Sequence, residues 1–395
     1  MYLMSFIHRE KLLRIAERWF CARPDPNDAL SLTEILISDG FVIGETLKNI
    51  VRLLLQTLHP GPFHEKRIHF KGELRDIICN SGRENSPRVE ELCRLYRKNP
   101  DYYYREAPIN GMVCLDQDQK LLGLYRIKRP RRIAEKANRK IANWIFRTVI
   151  DRARKMAEER ARRLGVPIEG FITPEEEMVR EFVRAEEEIA ESFREGTIRF
   201  DRTASTIHDV GGIKIVADTE KLAYLERILD GEPSILILDK ESYLGAYQAT
   251  NYVLDVQWDP EDACRGYRDN RGWERYLDRG IPEARLKKGL EHFLEDTKPN
   301  IHIELILSTF PHMAESELGD SIHEERILTQ RNNKMYQGYI PMNVEFLLEY
   351  LFAVGFSPRV HIDYVPIKLW GRYLPDTLSS HIRLLYERSE YDLFY

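Results

Sequence analysis

Two acidic residues stand at or within apolar runs that predict β-strands, where a charged side chain needs a partner. Asp209 precedes the run Gly212–Val216, and Glu304 lies inside the run Ile301–Leu307. Burial of an unpaired carboxylate is costly. Two carboxylates on neighbouring strands are hard oxygen ligands that can hold Mg²⁺ against nucleotide phosphates. The pattern predicts such a magnesium site, and two salt-bridged carboxylates are the alternative interpretation.

A group of basic residues stands at the start of a long basic segment. Arg126 and Lys128 precede a predicted helix, whereas Arg132 and Lys136 lie one turn apart on one of its faces. Positive side chains beside a helix N-terminus favour an anion, and this group suits a triphosphate. Contact with RNA and a plain solvated helix face are the alternative interpretations.

Two segments of opposite charge follow each other in the middle of the chain. Residues 126–163 carry 15 Lys or Arg and 4 Asp or Glu, and their apolar spacing predicts one long basic helix that ends at Gly165. Residues 169–195 carry 10 acidic and 3 basic residues, start with the capping signal Thr173–Pro174 and end at Gly196. Because opposite charges attract, we expect a charged helical hairpin inserted over about residues 150–200.

Short apolar runs separated by turn residues replace the helical pattern after residue 196. They predict strands at 212–216, 234–238, 252–258 and 301–307, with a helix at 221–229. This order predicts an α+β fold with a mixed β-sheet and flanking helices.

The flanking segments complete a division of the chain into three parts. Residues 1–120 show apolar residues at helical spacing and are predicted to form a helical N-terminal region. Residues 121–330 form the predicted α+β domain with its inserted hairpin. Residues 331–395 are predicted to form a C-terminal α/β extension, with a helix at 343–354, a strand near 359–364 and a last helix near 375–386.

The composition narrows the classes of protein. The chain has 395 residues, of which 43% are hydrophobic and 31% charged, enough to bury a large core. Its net charge of −5 supplies no global field for nucleic acid or an anionic membrane, so a polyanion site must be local. No apolar stretch has the length of a membrane span, and the charges at residues 8–11 interrupt any signal-peptide core. We expect a cytoplasmic protein.

The motifs, in their order along the chain, resemble those of the synthetase domain of RelA/SpoT-type alarmone synthetases. The family pattern R-x-K-x-x-x-S-x-x-x-K is similar to Arg126, Lys128, Arg132 and Lys136, with arginine where serine is usual. The family strand D-x-x-G-I-R is similar to the segment from Asp209 to Lys214. The resemblance spans about residues 120–328 and is interrupted by the charged hairpin.

Two further motifs of the family match in part. The turn G-Y-x-S-x-H resembles a segment that keeps Tyr247 and has Asn251 in place of the histidine. The segment A-E-L-G-x-x-x-H is similar to one that keeps both Glu317 and His323.

The resemblance implies a nucleotidyltransferase-like sheet and the transfer of pyrophosphate from ATP to the 3′-hydroxyl of a guanine nucleotide. It implies that Asp209 and Glu304 are catalytic and hold Mg²⁺ as the cofactor, while Glu304 or a nearby base deprotonates the hydroxyl. The residues it assigns to ATP phosphates are Arg126, Lys128, Arg132 and Lys136. The residues it assigns to the acceptor are Tyr247, Asn251, Lys214, Glu317 and His323.

One strand departs from the family in a way that leaves the acceptor open. The family strand E-x-Q-x-R-T resembles a segment that keeps Glu304 but has Ile306 and Ser308 where glutamine and arginine stand. These replacements lack the charge and donors of the family residues. An adenine nucleotide or tRNA is therefore an alternative acceptor. A catalytically degenerate nucleotide-binding regulator and a helical interaction protein are alternative functions.

The family's bifunctional members add a hydrolase with a His…His-Asp…Asp metal site. Here the sole His-Asp doublet, His208–Asp209, falls within the synthetase motif. We therefore expect synthesis alone. Assembly as a homo-oligomer is left open.

Overall fold

A computed structural model of the protein describes residues 2–81, 86–167, 175–197, 202–244, 248–295, 297–319, 339–357, 361–374 and 381. The strands in this part of the chain are β1 Tyr2–Leu3, β2 Phe63–Phe70, β3 Pro108–Asp116, β4 Leu121–Ile127, β5 Thr206–Ile207, β6 Gly211–Val216, β7 Ile235–Tyr243, β8 Ala249–Gln257 and β9 Asn300–Ser308. The first six helices are α1 Arg9–Phe20, α2 Asp28–Leu58, α3 Lys71–Asn80, α4 Pro87–Lys98, α5 Pro130–Leu164 and α6 Glu175–Glu195. Those that follow are α7 Arg202–Ser205, α8 Thr219–Leu229, α9 Pro260–Asp269, α10 Glu283–Leu286, α11 Glu291–Leu294, α12 Phe310–Leu318 and α13 Tyr339–Phe356.

Among these helices, none is both long and apolar enough to cross a membrane.

A mixed sheet of seven strands forms the centre of the fold, in the order β2-β3-β4-β6-β9-β8-β7. β6 and β9 are parallel, and the other neighbouring pairs are antiparallel. The predicted α+β fold with a mixed sheet and flanking helices is confirmed, as are strands at 212–216, 252–258 and 301–307 and the helix at 221–229. The register pairs Gly212 with both Arg126 and Glu304, which brings the basic motif beside the acidic one.

The two faces of this sheet differ in character. Because side chains alternate along a strand, one face carries Ile213, Ile215, Ile303 and Leu305, and these pack into an apolar core with residues of α2, α5 and α13. The positions between them lie on the opposite face and include Arg126, Gly212, Lys214, Asn251 and Glu304. Apolar residues of α3, α4 and α12 form a second core with part of this opposite face. The predicted polar residues therefore share one face of the sheet.

The region predicted to be helical over residues 1–120 contains the helices α1 to α4, and two of its other segments form strands. β2 and β3 lie in this region and pair with each other, and β3 pairs with β4 across a hairpin. β2 is an edge strand with a polar, partly exposed surface, so its sequence shows no regular apolar alternation. The boundary near residue 121 falls at this hairpin, and the division into domains stays a prediction.

The charged hairpin is confirmed. α5 and α6 pack together, and Arg152 Nη2 lies 2.9 Å from Glu188 Oε2 between them. α5 ends at Gly165, whose φ of 67° is the left-handed conformation that glycine adopts without strain. The capping signal Thr173–Pro174 lies outside the described residues.

The C-terminal extension follows the prediction only in its first half. α13 confirms the helix expected at 343–354. Residues 361–364 form no strand, so that prediction is wrong there, and this segment runs irregularly over the core with Ile362 buried. The last predicted helix lies outside the described residues, apart from residue 381.

Candidate active site

The parallel pair of strands β6 and β9 brings the two predicted carboxylates together. Asp209 lies two residues before β6, and Glu304 lies within β9. Both apolar segments pair because their alternate residues enter the core, and this pairing places Glu304 opposite Gly212. The two side chains, separated by 95 positions in sequence, therefore meet at one end of β6.

The basic motif supplies the cations between these carboxylates. Lys128 directly follows β4, and its backbone N–H donates to the carbonyl of Val210 at 2.8 Å. Its Nζ lies 2.7 Å from Asp209 Oδ2 and 3.0 Å from Glu304 Oε2. Lys136, in the second turn of α5, also pairs with Asp209. We call Lys128, Lys136, Asp209 and Glu304 the open cluster, because their side chains keep 11% to 26% of their surface exposed.

The charges of the open cluster set one another's protonation. Burial alone would raise the pKa of Asp209, but the ammonium groups of Lys128 and Lys136 more than offset this and hold that pKa well below its usual range. Burial also lowers the pKa of Lys128, but Glu304 and Asp209 raise it to above its ordinary value. Burial and repulsion by Lys128 lower the pKa of Lys136 to about 8, against the opposing effect of Asp209 and Glu304. Lys136 is thus the cation of the cluster that titrates nearest to neutral pH.

The geometry of the open cluster fits a small cation. Oxygen atoms of Asp209 and Glu304 contact a single nitrogen atom, so both already face one positively charged centre. Carboxylate oxygens are the donors that Mg²⁺ prefers, and this ion is commonly held by one or two carboxylates together with substrate phosphates. Within the described ranges, no group of three or more His, Cys, Asp or Glu residues could hold a metal. A divalent ion here would be held by these two carboxylates together with further oxygen ligands, such as those of substrate phosphates.

Asn251 holds Glu304 from the neighbouring strand β8. Its Nδ2 donates to Glu304 Oε1 at 3.3 Å, while Lys128 contacts the other oxygen of the same carboxylate. The Oδ1 atom of Asn251 is buried and has no hydrogen-bond partner in the part of the chain that the structure describes. Such an acceptor beside the carboxylate pair can receive a hydrogen bond from a ligand hydroxyl or amino group.

The two other predicted phosphate-binding residues lie nearby in different settings. Arg126 occupies the polar face of the sheet, opposite Gly212. Arg132 Nη1 lies 2.8 Å from Glu135 Oε2 on the same helix.

Lys214 and Glu317, predicted to bind the acceptor, belong to a different cluster. Lys71 Nζ lies 2.6 Å from Glu317 Oε2, and Arg75 Nε donates to the backbone carbonyl of Glu317 at 2.8 Å. Burial would raise the pKa of Glu317, but Lys71, Lys214 and Arg75 lower it to about 2. We call these four residues the buried cluster, since all of them belong to the interior. It joins α3 to α12, and its role in acceptor binding stays a prediction.

The sequence analysis predicted Lys214 and Glu317 but missed Lys71 and Arg75, the other two residues of the buried cluster. Lys71 and Arg75 lie four residues apart on α3, the spacing that places them on one helix face beside the buried Leu74 and Ile78. The sequence could have indicated them, because two basic residues lie on the same helix face as the buried apolar residues.

Tyr247 and His323, the remaining predicted acceptor residues, lie outside the described residues.

Comparison with known proteins adds little to this geometry. No protein-family model matches the chain, and no curated protein matches it. Among solved structures, the small alarmone synthetase 1 from Bacillus subtilis is similar at 12% identity and a TM-score of 0.20. That match covers 43% of this chain and 66% of the synthetase chain. A likeness this distant carries no argument about activity, so the functional argument depends on the residues themselves.

The N-terminal segment positions the strand ends that carry the site, and sequence reasoning missed it. Ser5 is buried, its Oγ donates to the carbonyl of His302 at 2.6 Å, and it accepts from Val210 N–H at 3.2 Å. The N–H of His302 donates to the carbonyl of Met4 at 3.1 Å. These bonds tie together the segments that bear Asp209 and Glu304. These bonds join residues about 200 to 300 positions apart, so no local sequence pattern predicts them.

Proposed function

We propose that this protein is a Mg²⁺-dependent nucleotide pyrophosphokinase that transfers pyrophosphate from ATP to the 3′-hydroxyl of a guanine nucleotide. The observation that carries the proposal is the convergence of Asp209 and Glu304 on one cation position, with Lys136 beside them. Paired carboxylates on adjacent strands next to a basic helix start suit the metal-assisted chemistry of nucleotide phosphates. We further propose that the mixed sheet is of the nucleotidyltransferase type.

The colinear motifs provide independent support for the choice of reaction. The two residues that the family resemblance assigns to catalysis are the two that contact Lys128. Three of the motif residues, Lys128, Lys136 and Asn251, contact this pair directly. A set of motif residues that is scattered in sequence thus forms one contact network.

The reaction requires one bond to form and one to break. The 3′-oxygen of the acceptor attacks the β-phosphorus of ATP, and the bond from that phosphorus to the oxygen bridging the α-phosphorus breaks. AMP leaves with the bridging oxygen, and the hydroxyl proton passes to Glu304 as general base. Asp209 and Glu304 would hold Mg²⁺, which supplies charge neutralisation to the ATP phosphates when bound.

Basic side chains of the site act on the negative charge of the transferred group. Arg126, Lys128 and Lys136 neutralise the charge that builds on the β- and γ-phosphates, the type of preorganised stabilisation that dominates phosphoryl transfer. Arg132 extends the same charge along α5. Asn251 accepts a hydrogen bond from the acceptor through Oδ1 and keeps Glu304 oriented through Nδ2.

The test is direct transfer of labelled phosphate. The purified protein is incubated with Mg²⁺ and γ-labelled ATP, with GDP, GTP, ADP, unlabelled ATP or bulk tRNA offered in separate reactions. We expect a labelled product with GDP or GTP that is absent with Asp209→Asn. A product with an adenine nucleotide or tRNA alone would reassign the acceptor. Equal product with Asp209→Asn and wild type would overturn the assignment of the site.

A nucleotide-binding regulator without turnover is the second candidate function. It is favoured by Ile306 and Ser308, which stand in the site-bearing strand where the family has glutamine and arginine. It predicts saturable binding of ATP or a guanine nucleotide in calorimetry, with no labelled product in any reaction. Detection of transfer under any Mg²⁺ condition excludes it.

A further inference from the structure

Lys128 holds the position between the two carboxylates that a bound cation would take. Its Nζ contacts Asp209 Oδ2 and Glu304 Oε2, and its side chain is 11% exposed. The bond from its backbone to Val210 fixes where the side chain starts, so the ammonium reaches the pair from a rigid strand end. Lys136 differs, because of the two carboxylates of the open cluster it pairs with Asp209 and not with Glu304.

We propose that Lys128 is a built-in cation that keeps a divalent metal ion out of this site until nucleotide phosphates draw its ammonium away. The inference deepens the proposed function and depends on it for the identity of the ligand. In this scheme, the metal and the nucleotide enter as a coupled pair.

The electrostatics of the carboxylate pair supply the first reason. Two adjacent carboxylates that lack a cation repel each other and resist ionisation together. Lys128 offsets this repulsion, because its ammonium contacts one oxygen atom of each carboxylate. A divalent ion that arrives alone must therefore displace a charge that already satisfies both oxygens.

The number of ligands supplies the second reason. Asp209 and Glu304 offer only two side chains to a metal, and Mg²⁺ prefers six oxygen ligands. Nucleotide phosphates favour metal binding in two ways. They bring further oxygen ligands to the ion, and they give the ammonium of Lys128 another anion to contact. The flexible four-carbon stem of lysine permits that exchange without a shift of β4. Coupling of this kind is reciprocal, so metal must also strengthen nucleotide binding.

The test measures metal binding without nucleotide, with Mn²⁺ as the probe. Free Mn²⁺ is followed by electron paramagnetic resonance in titrations of the full chain at neutral pH. Lys128→Met retains the length of the side chain and removes its charge, and we expect it to bind Mn²⁺ at least about tenfold more tightly than wild type. Lys136→Met is the matched control. It should show a smaller gain, because Lys128 stays between the carboxylates.

Two outcomes overturn the proposal. One is tight Mn²⁺ binding by the wild-type protein without nucleotide, a result that requires no variant to fold. The other is Lys128→Met that melts as wild type does and binds Mn²⁺ no more tightly. Addition of Asp209→Asn to Lys128→Met should abolish the gain and so locate the ion. Because these titrations contain no nucleotide, they are separate from the transfer assay, whose failure would overturn the proposed function instead.

Discussion

The open cluster and the buried cluster use the same chemistry in two surroundings. Both set lysine ammonium groups against carboxylates on one face of the central sheet. In the open cluster, the paired side chains keep 11% to 26% of their surface exposed, whereas Lys71, Arg75 and Glu317 keep 0% to 7%. The buried cluster also ties two helices together, whereas the open cluster joins residues next to β4 and β6 to residues of β9 and α5.

This difference in exposure decides what each cluster can do. A buried charge that loses its partner has neither water nor a ligand to replace it, so the pair is fixed. A partly exposed charge can exchange its protein partner for a phosphate or a metal ion. Ion pairs of similar length therefore fall into two groups. Some stabilise the fold, and others can be rearranged by a bound substrate.

The largest effect on stability is expected when the carboxylate of the buried cluster is removed. Glu317→Gln leaves the charges of Lys71, Arg75 and Lys214 without it, and we expect a loss of about 3–5 kcal/mol in the free energy of unfolding. Denaturant unfolding measures this loss. Glu315→Gln is the matched control on the same helix, because its partner Arg88 is largely exposed and such surface pairs contribute about 0–1 kcal/mol. Equal losses for the two variants would contradict the role of the buried cluster in the fold.

Removal of a carboxylate from the open cluster should reduce transfer activity strongly and affect stability less. Asp209→Asn and Glu304→Gln should each reduce transfer by about 10²–10³-fold or more, because each removes charge from the reacting centre. Their unfolding free energies should fall by less than that of Glu317→Gln, since Lys128 retains one carboxylate in each variant and the side chains of this cluster are partly exposed. Parallel transfer assays and denaturant titrations check this split. If either variant unfolds as readily as Glu317→Gln, the two clusters do not differ in kind.

The two clusters should also differ in their response to pH, because Lys136 titrates near neutral pH. Its pKa of about 8 means that it loses its charge as the pH rises through that value, whereas the low pKa of Glu317 keeps that carboxylate ionised over the same range. We expect the affinity for ATP to fall several-fold between about pH 7 and about pH 9. Lys136→Arg should flatten this profile, because arginine stays charged throughout. Calorimetric titrations across the range measure it, and an unchanged slope in the variant would remove Lys136 as the titrating group.

The sequence predicted those features that depend on local patterns. β6, β8 and β9 have apolar residues in short runs, and α5 has a long helical repeat with glycine at its end, so their signals are contained within each segment. Asp209 and Glu304 stood out for a similar reason, since a charge within an apolar strand is conspicuous. The two carboxylates meet at the ammonium of Lys128, as the alternative interpretation of salt-bridged carboxylates also predicts, and their role in metal binding stays a prediction.

Features that depend on distant pairing were missed. The strands β2 and β3 were not predicted, because their strand character comes from pairing with neighbouring strands rather than from their own alternation. Lys128 was predicted to face phosphate, and nothing local indicated that its ammonium would lie between the two carboxylates. Ser5 is the extreme case, because its partners Val210 and His302 are remote in sequence.

A third ion pair, between the partly exposed His8 and the buried Asp39, tests whether burial of one partner makes a pair insensitive to pH. His8 Nδ1 lies 2.5 Å from Asp39 Oδ1, and its Nε2 lies 2.7 Å from the carbonyl of Phe293, so both ring nitrogens face acceptors, an arrangement that favours the doubly protonated ring. Burial lowers the pKa of His8, but Asp39 and the carbonyl raise it to a value above the ordinary 6.5. The stabilisation is therefore complete below the ordinary pKa and disappears as the pH rises through the raised one. We expect a loss of about 1 kcal/mol, the scale of one hydrogen bond, in unfolding free energies measured across this range. His8→Gln should abolish the dependence, and a variant that keeps it would assign the titration to another group. If His8 accounts for the pH dependence, burial of Asp39 does not make the pair insensitive to pH. The ordinary pKa of the paired groups then decides which contacts of this kind respond to pH.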